Sequence, residues 1–205
     1  MPYYGILKTN YNTGADNELE VPFCAPLKIY AEHVSSVTYT LSLRRKASRS
    51  GAQRWKLQAG VSPTENGGDL LVLFANAGYD RPLYIRVPQP VNVVLPDATA
   101  LITVSGDYEA KADALLYSAD RPTQLRRGSF INFDGDSKVY LIKDASASHI
   151  EITPPLQHAV VNGTRIANGL GVTMKAFLET DAVLGITYED GWLASPGSYT
   201  FVEAL

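Results

Sequence analysis

The feature that most constrains this chain is an alternation of residue types on both sides of a polar stretch between Ser35 and Val61. In the first run, four apolar residues alternate with serine, threonine and arginine: Val37, Tyr39, Leu41 and Leu43. In the second run, the alternating positions are Gln53, Trp55, Leu57, Ala59 and Val61. A period of two puts successive side chains on opposite faces, so each run predicts a strand with one apolar face. We predict a long β-hairpin over residues 35–61, with residues 45–52 as its connection.

One segment after the hairpin has a helical pattern. Ser62 and Pro63 are typical of a helix start, and Glu65 can complete a capping box. An apolar run follows and stops at Gly78, a residue that often ends helices. The pattern predicts a short helix over residues 63–77, although the same apolar run also fits a buried strand.

The rest of the chain consists of short apolar runs separated by turn residues. The predicted strands are 83–87, 91–95, 100–104, 112–117, 128–133, 138–143, 149–153, 164–166, 172–177, 183–188 and 199–205. A polar segment around Pro122 predicts a boundary. We therefore expect a mainly β fold, with an N-terminal β domain (1–118) and a small C-terminal β-barrel or β-sandwich (119–205). The last strand is placed to return to the first domain.

Composition supports a folded protein and favours no anionic partner. Hydrophobic residues make up 45% of the chain and charged residues 19%, which is enough apolar material for a core. The net charge of −3 favours neither nucleic acid nor a membrane surface as the main ligand. The single cysteine, the lack of a secretion signal and the lack of a membrane-length apolar run predict folding in a reducing cytosol, with no membrane insertion.

No pattern of catalytic or metal-binding residues is evident. The three histidines share no spacing, and Asp134-Gly135-Asp136 fits a hairpin turn better than a calcium loop. We expect no enzymatic activity, cofactor or metal, but triad residues meet only in space, so a hydrolase stays open as an alternative.

Basic residues crowd the predicted hairpin tip without any acid among them. They are Arg44, Arg45, Lys46, Arg49, Arg54 and Lys56. One interpretation is a solvated tip that blunts an edge strand. A second is an arm that binds an acidic neighbour through arginine–carboxylate pairs, with Trp55 anchoring the base of the hairpin. A third is contact with nucleic acid, since basic residues near an aromatic ring suit phosphate and base, but the low overall pI counts against it.

Several segments together resemble a known family. A basic run leads into Gly51-Ala52-Gln53-Arg54-Trp55, followed by the predicted helix and the proline-bounded strand at 82–87. In the second half, the segments at 125–133, 138–140, 152–156 and 162–164 continue the pattern. The order resembles that of baseplate and distal tail structural proteins of tailed bacteriophages. One departure is Gly128-Ser129, where that pattern has Gly-Asp.

The resemblance implies a homo-oligomeric ring, commonly of six copies, at the tail end of a virion. Such a ring joins the tail tube to sheath, hub or host-recognition proteins and is assembled in the host cytoplasm. The residues expected at the assembly interface are Arg44, Arg45, Lys46, Arg49, Arg54 and Trp55.

Two alternatives remain. A carbohydrate-binding β module would need an exposed aromatic platform, for which Tyr3, Tyr4, Tyr11, Tyr188, Trp192 and Tyr199 are available. A tail-associated cell-wall hydrolase would need a cleft that holds a perturbed acid or base.

Overall fold

The computed structural model describes residues 7–8, 23–39, 45–61, 82–89, 100–121, 124–179, 187–189, 193–195 and 197–204. Within these ranges the chain forms fourteen strands and one 3-10 turn at Gly169–Gly171. The predicted mainly β fold is confirmed.

Six strands form the first sheet. They are β1 (Leu7–Lys8), β2 (Phe23–Tyr39), β3 (Arg45–Val61), β4 (Leu83–Arg86), β11 (Thr173–Leu178) and β14 (Ser198–Glu203). Their order is β1-β4-β11-β14-β3-β2, and every neighbouring pair is antiparallel. The strand nearest the C-terminus therefore lies inside the sheet, and β2 lies at one edge.

Six further strands form a second sheet that curls into a barrel. They are β5 (Ile102–Val104), β6 (Ala114–Ala119), β7 (Phe130–Phe133), β8 (Tyr140–Ala145), β9 (His149–Thr153) and β10 (Ile166–Ala167), in the order β10-β7-β8-β9-β6-β5. A bridge between Thr103 and Arg165 joins the two ends of this order, so the sheet is nearly closed. A separate two-stranded sheet consists of β12 (Thr187–Glu189) and β13 (Leu193–Ser195).

The hairpin forms, but its strands are longer than the sequence predicts. β2 and β3 have 17 residues each, and their pairing extends to Tyr39 opposite Arg45. The predicted connection at 45–52 was wrong, because these residues belong to β3. A register shift places one residue of β2 between His33 and Ser35 opposite the three residues of β3 between Arg49 and Gln53. The bulge contains Ser50, Gly51 and Ala52, and these small residues with a central glycine are equally typical of a loop.

The division between the sheets does not coincide with the predicted boundary at 118/119. β5 and β6 precede that point but belong to the barrel, whereas β11 and β14 follow it and belong to the first sheet. The barrel is therefore built from residues 102–167 and is inserted between strands of the first sheet. The predicted helix at 63–77 and the predicted strand at 91–95 lie outside the described residues.

The two sheets share an apolar interface. Alternating burial in β11 and β9 shows that one face of each strand supplies a core, as its period of two requires. The core of the first sheet includes Phe130 and Val139 from the barrel. The Gln89 side chain adds a polar link, since it donates to the Phe130 carbonyl and accepts from the Phe130 amide, each at 2.9 Å. Packing and hydrogen bonds thus join barrel and sheet next to β3.

Candidate functional site: the hairpin arm and its base

The outer part of the hairpin extends beyond its neighbours in the sheet. β14 pairs with β3 only between Lys56 and Gly60, and β2 is the edge strand. Beyond the bulge, residues 35–39 pair with residues 45–49. We call these two segments the arm, and residues 27–33 with 53–59 the base. Among the described residues, the arm strands pair only with each other.

Trp55 fixes the base to the barrel. The residue is only 5% exposed, and its indole Nε1 donates to the Val139 carbonyl at 2.8 Å. The indole meets the Phe130 ring edge-on, with centroids 5.1 Å apart and an interplanar angle of 86°. Trp55 therefore packs and donates within its own subunit, where it links the base of the hairpin to the barrel, and its burial removes it from the surface that a neighbour would contact.

A buried carboxylate joins three parts of the molecule next to Trp55. Glu203, in β14, accepts from the Trp55 amide at 2.9 Å and from the Val139 amide at 2.8 Å. The Lys138 ammonium donates to the same carboxylate and also to the Gln53 carbonyl, the latter at 2.7 Å. One ion pair thus holds together the centre of the first sheet, the base of the hairpin and the segment that precedes β8.

The environment of this pair suits a structural role. The Lys138 and Glu203 side chains are 3% and 0% exposed. Burial raises the pKa of Glu203 and lowers the pKa of Lys138, while the attraction between the two groups opposes both changes. In each of the hydrogen bonds described above, the Glu203 carboxylate is the acceptor, which suits its ionised form. Because a substrate could not reach either side chain, we assign the pair to structure rather than to catalysis.

A second charged network lies on the outer side of the base. The Arg54 guanidinium binds Glu32, and Lys56 Nζ lies 3.1 Å from Glu32 Oε1 and 2.6 Å from Glu179 Oε1. Hydrogen bonds from Arg54 and, to a smaller extent, from Lys56 lower the pKa of Glu32. Hydrogen bonds to Glu179 and, to a smaller extent, to Glu32 raise the pKa of Lys56. Arg54 and Lys56 are therefore both paired with carboxylates of the same chain.

The structure separates the predicted interface residues into three groups. Arg45, Lys46 and Arg49 belong to the arm, whereas Arg54 and Trp55 belong to the base. Arg44 lies outside the described residues. Sequence reasoning missed Lys138 and Glu203, which are 65 positions apart, and no local pattern links two residues at that separation.

The described residues give little support to a sugar-binding platform or to a catalytic site built on the histidines. Of the six aromatic residues proposed for a sugar platform, Tyr188 is exposed and Tyr199 is buried; the other four lie outside the described residues. The histidines fall in three different elements: His33 in β2, His149 in β9 and His158 in the segment after β9.

The predicted turn at 134–136 forms, with Gly135 at a φ of 83° and the Asp136 carboxylate accepting from the Lys138 amide at 2.9 Å. In the described part of the chain, no group of three or more metal-ligating side chains comes together. The same residues include no helix with the length and apolar character of a membrane span.

Comparison with known proteins does not identify the chain. No protein-family model matches it, and no curated protein matches it.

Proposed function

We propose that the protein is a structural subunit that assembles with its neighbours through the arm, as a component of a bacteriophage tail or baseplate. In this proposal several copies form a ring at the tail end of the virion, and the ring connects the tail tube to hub or host-recognition proteins. The sequence resemblance supports the phage assignment, and the geometry of the hairpin supports assembly.

The observation that carries the proposal is the extension of the arm beyond the sheet. A two-stranded ribbon is marginally stable by itself in water, because it has too little surface to bury. The arm nevertheless carries alternating residues typical of a half-buried strand, with Val37 and Tyr39 two positions apart. A ribbon of this kind is stabilised when another molecule covers one face or pairs with an open edge.

Charge indicates an acidic neighbour. Residues 33–53 contain four cations and no carboxylate. Because the whole chain carries −3 and this segment carries +4, the rest of the chain carries −7. The part of a second copy outside this segment therefore offers the opposite sign to the arm, which supports association between copies.

The decisive experiment removes the charge of the arm. Substituting Arg45, Lys46 and Arg49 by alanine should leave the subunit folded but reduce its association, measured by sedimentation of the purified protein and by imaging of tails. The matched control substitutes three exposed cations of the barrel, Arg127, Lys143 and Arg165, and so changes the net charge equally. Normal association of the arm variant would refute the role of the arm.

Two activity assays separate the alternatives. Binding of the isolated protein to a polysaccharide would favour a carbohydrate-binding module. Turnover of peptidoglycan would establish a cell-wall hydrolase.

A further inference from the structure

Three hydrogen bonds hold a short stretch of β3 at the base of the arm, two of them to the barrel and one to Glu203 of β14. Gln53 accepts through its carbonyl, and Trp55 donates through both its amide and its indole. The partners are Lys138, Val139 and Glu203, and Glu203 also accepts from the Val139 amide. Gln53 is the last paired residue of the base before the bulge, and it is only 7% exposed. The connection therefore sits where the arm leaves the sheet.

Stability alone does not explain why an ion pair occupies this position. Removing two charges from water is costly, and well-packed apolar residues often replace a buried pair without loss of stability. An ammonium and a carboxylate do, however, impose direction, since each bond requires its donor and acceptor to face each other. Here the bonds run to two backbone groups of β3 and to one of the barrel, so they fix the orientation of β3 relative to the barrel.

The geometry points to Lys138 and Glu203 as positioning residues that hold the arm in one direction before any neighbour binds. This inference rests on the proposed function, because it assigns to the pair a role in presenting the arm. A binding element that is already oriented loses less conformational entropy when it docks, so its binding free energy is more favourable by that entropic contribution. In this inference the barrel fixes the direction in which the arm leaves the sheet.

The test replaces the pair by apolar residues in the full chain, Lys138→Met together with Glu203→Leu. The matched control is Lys143→Met with Glu151→Leu, which removes the exposed pair on the barrel whose charged atoms lie 3.7 Å apart. Amide hydrogen exchange is measured for residues 53–55 and, as an internal reference, for the barrel core at Ile150 and Ile152. We expect exchange at residues 53–55 to rise by roughly tenfold or more in the first variant, with the reference amides and the control variant unchanged.

Unchanged protection at residues 53–55 in a folded Lys138→Met/Glu203→Leu variant would overturn the inference. If that variant does not fold, Glu203→Gln serves instead, because its amide oxygen still accepts one backbone bond. We then expect partial loss of protection confined to residues 53–55, and an unchanged pattern would again overturn the inference.

The result of this exchange experiment can be distinguished from the result of the association experiment that tests the proposed function. Exchange is measured on the dispersed subunit, so it reports on the arm base whether or not the protein assembles. Faster exchange with normal sedimentation would count against the arm as an assembly element but would leave the connection between pair and arm in place.

Discussion

The base and the arm belong to the same two strands, yet they are stabilised in different ways. At the base, β14 pairs with β3, Trp55 packs in the core, and Arg54 and Lys56 are paired with Glu32 and Glu179. In the arm, the described strands pair only with each other, and residues 33–53 contain no carboxylate. One end of the hairpin is therefore fastened within the subunit, whereas the described strands of the other end pair only with each other.

This difference changes the meaning of the basic cluster that the sequence shows. Six cations near one another suggest a single positive patch, but Arg54 and Lys56 are paired inside the subunit. The cations of the arm, Arg45, Lys46 and Arg49, remain as the charge available for a partner under the proposed function.

The largest expected effect is at the buried side of the base. Glu203→Ala leaves the Lys138 ammonium buried without its carboxylate and removes the acceptor of two backbone amides. We expect a loss of about 3–5 kcal/mol in the free energy of unfolding, measured by urea denaturation. The control Glu151→Ala removes an exposed carboxylate and should cost less than about 1 kcal/mol. Equal losses in the two variants would remove the contrast between buried and exposed pairs.

A smaller effect is expected at Trp55. Trp55→Phe keeps an aromatic ring against Phe130 but leaves the buried Val139 carbonyl without its donor. We expect a loss of about 1–3 kcal/mol by thermal or urea unfolding. Tyr188→Phe, at an exposed ring, is the control and should leave stability unchanged. A neutral Trp55→Phe variant would show that packing alone anchors the base.

On the outer side of the base, the effect depends on pH. Arg54 and Lys56 lower the pKa of Glu32 below its ordinary value of 4.5, so the unfolded chain takes up the proton more readily. The stabilisation is therefore present above about pH 4.5 and is lost as the pH falls through the lower pKa of the folded state. Because the Glu32 and Arg54 side chains are 37% and 47% exposed, we expect less than about 1 kcal/mol. The difference in unfolding free energy between the native chain and Glu32→Gln should shrink from pH 6 to pH 3; a constant difference would contradict the ion pairing.

The smallest effect on stability is expected from removing the arm. His33 and Gln53 are paired in register, so an Asn-Gly turn can join them in place of residues 34–52. We expect the free energy of unfolding to change by less than about 0.5 kcal/mol, because none of the described core residues is removed. Association should be lost in the same variant. Loss of the cooperative unfolding transition would mean that the arm belongs to the fold of the subunit itself.

The sequence predicts those parts of the fold that depend on local patterns. Alternation along β3 and β9 identifies the strands, because a half-buried strand must show that period. The bulge and the path of the chain between sheets are less accessible, since polar residues suit a solvated ribbon and a loop equally well. The pair of Lys138 and Glu203 could not be found in the same way. The insertion of the barrel brings its two members together, and neither the residue types nor their spacing in the sequence indicates that insertion.

The location of β14 has a consequence for the order in which a newly made chain becomes complete. During translation, the arm and the barrel leave the ribosome well before residues 198–203, yet this strand fills the place between β11 and β3. A polypeptide interrupted before residue 198 contains every cation of the arm but lacks the carboxylate that binds the Trp55 amide. A chain that lacks β14 therefore keeps the arm but loses the carboxylate that links the base of the arm to the barrel.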